Sequence, residues 1–75
     1  MKIEKTTDYK MFKKLKGNRN IYKPHLNGLI QSIQEENLLQ YNPITINSDM
    51  EIVDGQHRLE AAKILKLDIY YLVNP

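Results

Sequence analysis

The sequence predicts a small α+β domain, a mixed β-sheet covered by two helices in the order β-α-β-β-α-β. Three observations carry the prediction. Leu26, Leu29, Ile30 and Ile33 fall at i, i+3, i+4 and i+7, one face of an amphipathic helix. Pro43-Ile44-Thr45-Ile46-Asn47 alternates apolar and polar residues, and Glu51-Ile52-Val53 resumes after the turn chemistry of Asn47-Ser48-Asp49, so the two read as a hairpin. A second helix, from Gln56 or His57 to Leu67, leads into Ile69-Tyr70-Tyr71-Leu72-Val73, a strong strand.

The elements follow in order. Residues 2–5 are short and charged, suited at best to an edge strand. Asp8 is placed to cap a turn through Tyr9–Leu15, with Met11, Phe12 and Leu15 as its apolar side. Gly17-Asn18-Arg19-Asn20 reads as a loop. Pro24 sits where the first turn of a helix tolerates proline. That helix should stop near Asn37, a left-handed C-cap by residue type. In the second helix Leu59, Ala61, Ala62, Ile64 and Leu65 cover most of the circumference, which predicts packing on several sides.

Composition excludes whole classes of function. The chain has 75 residues, one domain at most, and a chain of this size buries only about 60% of its unfolded surface. With no cysteine there is no disulfide, thiolate zinc site or cysteine nucleophile. His25 and His57 lie too far apart in sequence for a metal-ligand spacing. No apolar run approaches about 18 residues, and the basic N-terminus lacks the apolar region of a secretory signal, so a cytoplasmic protein without membrane partners is expected. The net charge of +2 hides an asymmetry. Residues 1–27 carry eight basic against two acidic side chains, a net of +6, and residues 28–75 carry three against seven, a net of −4. The basic third, with Lys13, Lys14 and Lys16, suits either a solvated surface or contact with DNA phosphates.

The junction Ile52-Val53-Asp54-Gly55-Gln56-His57-Arg58 holds the chemistry. A strand runs into glycine and then into a helix whose first turn carries His57 and Arg58. Backbone N–H groups that open a helix lack intrahelical partners and attract anions. Gly55 allows close approach to the backbone, and Arg58 offers a planar fork for phosphate. The same residues also read as ordinary capping: Asp54 as N-cap, Gly55 in the turn, Arg58 paired with Asp54 or Glu51.

Asp54-Gly55-Gln56-His57-Arg58-Leu59-Glu60-Ala61-Ala62 resembles the phosphate-binding box of the ParB/sulfiredoxin superfamily, Gly-x-(His/Arg)-Arg-x-x-Ala. Gly17-Asn18-Arg19 and the stretch His25 to Ile33 are similar to that family's arginine loop and Leu-x-x-Ser-Ile helix. Asn42-Pro43-Ile44-Thr45-Ile46 resembles its Pro-Ile-x-Val strand, and Lys66 to Val73 the strand after the box. The likeness spans roughly residues 12–73, and implies that residues 1–75 form one ParB N-terminal-like core, free-standing or cut from a longer protein. It further implies a pocket for a nucleoside triphosphate, CTP or ATP, with or without Mg²⁺, held by Gly55, Gln56, His57 and Arg58 with Ser32, His25 and Arg19 nearby. By the same resemblance the role would be DNA partition, replication or regulation, on a phage or plasmid.

Two departures narrow that role. Gln56 stands where sulfiredoxins need cysteine, so sulfinic-acid reduction is excluded. The second arginine motif of ParB clamps, Glu-Asn-x-x-Arg after the box, finds no match: Glu36-Asn37 begins like it, but Gln40 stands where its arginine would be and the pair precedes the box, so that likeness is read as chance. Two alternatives therefore stay open: a phosphotransferase or nucleotide hydrolase with Asp54 as its catalytic acid, and a DNA-binding protein with a vestigial nucleotide site. Oligomeric state is undetermined, a dimer included.

Overall fold

The expected hairpin forms and builds the middle of the sheet. In the computed structural model, which describes residues 2–17 and 20–75, five strands join in the order β1-β5-β3-β4-β2. They are β1 (Glu4–Thr6), β2 (Lys13–Lys14), β3 (Ile44–Ile46), β4 (Glu51–Asp54) and β5 (Ile69–Val73). Helix α1 covers Lys23–Glu35 and α2 covers Gln56–Leu65. This is a small mixed α+β fold.

β3 is antiparallel to β4, with Ile46 opposite Ile52, and parallel to β5, with Ile44 opposite Tyr71. Alternate residues of a strand share a face, so Ile44, Ile46, Ile52, Ile69 and Tyr71 all point into one core. Ala61 and Ala62 are fully buried, and their small side chains let α2 lie close against β3 and β5. Leu26 and Ile33 seal α1, which packs chiefly on α2. Of the two helices, α2 lies on the sheet and α1 lies on α2. Ile64 remains 50% exposed, so α2 is not packed on all the sides its composition suggested.

The N-terminal third departs from expectation. Tyr9–Met11 is a short 3₁₀ turn, and the chain then straightens so that Lys13–Lys14 pairs in parallel with β4 as an edge strand. Phe12 drives this: it is buried, edge-on to Tyr71 with ring centroids 5.2 Å apart. The Asp8 side chain caps nothing; its N–H instead donates to Thr6 Oγ1 at 2.9 Å. Asn37 is not a left-handed cap, because α1 ends in extended backbone at Glu36 and Asn37 Oδ1 accepts the Leu39 N–H. The left-handed C-cap occurs instead at Lys66, with φ 58°, and ends α2 at Leu65 rather than Leu67.

Candidate functional site

Gly55 creates the site by turning the chain between β4 and α2. Its φ is 102°, a left-handed conformation that glycine adopts without steric cost. A Cβ there would stand 2.6 Å from Ile44 Cγ2 and 2.9 Å from Arg58 Nη2. Its missing side chain thus serves close packing on β3 and on the guanidinium, rather than ligand approach from that side. Gly55, not Asp54, is the N-cap. As a glycine, this N-cap brings no side chain of its own to the opening turn of α2.

Arg58 folds back over this turn. Its Nη2 donates to Pro43 O at 3.4 Å and lies 3.5 Å from Asp54 Oδ2. Both contacts are long, and Asp54 is 77% exposed, so the ion pair is well screened. Arg58 Nε is buried and finds no hydrogen-bond partner among the described residues. A charged donor left in that state costs free energy.

His57 joins the two helices. Its Nε2 accepts the Tyr22 N–H at 3.0 Å, which assigns the proton of the neutral ring to Nδ1. The ring stacks on His25 of α1, centroids 4.4 Å apart and planes 13° from parallel. Burial, and secondarily the neighbouring His25, hold the His57 pKa below its ordinary value.

These groups surround a cavity of about 260 Å³. His25, Asp54, Gly55, Gln56, His57 and Arg58 line it, with Leu29, Ile52 and Val53 as apolar wall. The volume lies just under the roughly 300 Å³ at which small-molecule pockets begin. A second cavity, about 180 Å³, lies along α1 and is lined by Ser32, Glu36, Leu38 and Asn42. Leu29 and Arg58 wall both cavities.

Six expected residues thus meet at one cavity: His25, Asp54, Gly55, Gln56, His57 and Arg58. Ser32 belongs to the neighbouring cavity. Arg19 lies outside the described residues. Lys13, Lys14 and Lys16 are exposed along the β2 edge, and Lys14 Nζ donates to Asn20 Oδ1 at 3.0 Å. No group of three or more metal-ligating side chains occurs among the described residues, and none of their helices is long and apolar enough to cross a membrane. Sequence reasoning missed the backbone groups of Tyr22 and Pro43, since no residue type announces a carbonyl or an amide. Leu29 was legible only as core.

Comparison of the chain with family models, with curated proteins and with solved structures returns no match.

Proposed function

We propose that this chain is a ParB/sulfiredoxin-like module that binds a nucleoside triphosphate, CTP or ATP, through its phosphates, acting in the cytoplasm on DNA partition, replication or regulation. The phosphates sit in the cavity at the start of α2, which Gly55, His57 and Arg58 line together. The sugar and base extend past Arg58 into the cavity beside Ser32. The observation that carries this reading is Arg58, a guanidinium that lines both cavities and whose Nε has no hydrogen-bond partner among the described residues.

Calorimetry with CTP, ATP and GTP, each with and without Mg²⁺, tests it. Arg58→Ala is expected to abolish the heat of binding. A variant that binds nucleotide like the parent removes the assignment.

A second reading draws on Asp54, whose carboxylate lines the same cavity and is largely exposed. Beside bound phosphates it can hold Mg²⁺ or accept a proton, giving a phosphotransferase or nucleotide hydrolase. Turnover of radiolabelled ATP that disappears in Asp54→Asn would favour the enzyme over the binding module. The third reading, DNA contact through Lys13, Lys14 and Lys16, predicts a DNA mobility shift that is steep in salt, sensitive to those lysines and indifferent to Arg58.

A further inference from the structure

The charge around the cavity nearly cancels. The charged groups on its wall are Asp54 at the end of β4 and Arg58 on α2, one of each sign and 3.5 Å apart. Glu60 stands two residues beyond Arg58 on α2, about 200° around the helix from it, and Lys23 is exposed at the start of α1, two residues before His25. With both imidazoles neutral, the described lining therefore offers an anion hydrogen-bond donors but no net positive charge. The imidazoles are the groups able to change that near neutral pH.

Their geometry restricts how. Two cationic rings at 4.4 Å would repel at close range in a half-buried place, so the stack accommodates one added proton, not two. The His57 Nε2 already accepts the Tyr22 N–H, and a proton there would set one N–H against another. His25 is exposed on the other side of the stack and touches the same cavity.

We propose that the cavity takes its anion together with a single proton, held by the His25–His57 stack on His25. An oxyanion of the phosphate class then meets a lining that carries, among its described residues, one added positive charge, and its affinity rises as pH falls through neutrality. The inference rests on the anion-binding reading above and adds its regulation: occupancy is coupled to local pH.

The test is calorimetry with sulfate, a dianion that does not titrate near neutrality, and with inorganic tripolyphosphate, at constant ionic strength in buffers of different ionisation enthalpy. Near pH 7 the parent is expected to take up close to one proton per anion, with affinity falling by up to about tenfold per pH unit above that. His25→Phe keeps a ring against His57 and is expected to bind sulfate with no proton uptake and a flat pH profile. His57→Asn keeps an acceptor for the Tyr22 N–H but removes a donor from the cavity, so it is expected to bind the anion more weakly while the proton taken up per bound anion stays the same. Sulfate should also move the ring-proton NMR titration of the pair in the parent chain to higher pH, a readout that needs no variant to fold. Binding with no proton or with two overturns the coupling and leaves the anion site standing. Uptake that survives in His25→Phe overturns the assignment to His25. No binding of either anion at any pH overturns the anion site itself, and the coupling with it.

Discussion

Single residues decide this site, and Gly55 decides most. Gly55→Ala would place a Cβ in left-handed backbone and against Ile44. The two penalties together predict a loss of about 2–4 kcal/mol, measured by urea denaturation. An unchanged midpoint would mean that the turn relaxes freely. The His57 pKa is depressed in the fold, so the unfolded chain binds the proton more readily. The stability that neutral His57 contributes is complete above its ordinary pKa of 6.5 and is lost as pH falls from there through the lowered folded value. Denaturation midpoints should therefore fall as pH drops below the ordinary histidine pKa of 6.5, and His57→Asn should flatten that part of the profile. Legibility at this scale was uneven. The Gly-Gln-His-Arg run marked the cavity from sequence, because each residue type carries a distinct donor or backbone freedom. The acceptor role of His57 was not legible, because its partner is a backbone amide 35 positions away.

At the scale of elements, the β3–β4 hairpin shows how turn chemistry fixes a register. Asn47 Oδ1 accepts the N–H groups of Asp49 and Glu51, and its Nδ2 donates to Glu51 Oε1 at 2.9 Å. Asn47→Ala removes all three bonds and is expected to cost about 1–3 kcal/mol in urea denaturation, with a loss near zero contradicting the role. The helices, this hairpin and β5 were legible because each carries its own periodicity over four or more residues. β2 was not, because two lysines have no strand pattern of their own. They become a strand because Phe12 must be buried beside them and because an edge tolerates lysine. The end of α1 was misread for a related reason: Asn37 suits a left-handed cap by type, but the chain needs its side chain to start the next turn.

The whole molecule is thin, 17 Å along its shortest axis, and its single core rests on Ile44, Ile46 and Ile69. A core this small has little to spare. Ile44→Ala is expected to cost about 2–5 kcal/mol and to lower the thermal midpoint by about 10 °C or more. A shift of only a few degrees would mean that β3 is not the centre of the core. Ile44 also touches the Gly55 turn, so the same substitution loosens one wall of the cavity. Fold and site are coupled through that one side chain. The sheet face, the two helices and the α2 junction could be placed from sequence because burial pattern follows residue period. The approach of α1 to the cavity was expected only through the resemblance, and it holds for His25 but puts Ser32 in the neighbouring cavity, since how α1 lies across α2 is specified by no local pattern.

The central claim is that the cavity at the start of α2 receives phosphate groups. Its most direct test is an amide NMR titration of the chain with ATP and with CTP, in the parent and in Arg58→Ala. The account predicts shifts concentrated on the backbone amides of Gln56, His57 and Arg58 and on the Tyr22 amide, all absent from the variant. Shifts confined to the Lys13–Lys14 edge, or shifts at the α2 amides that persist in Arg58→Ala, would contradict it.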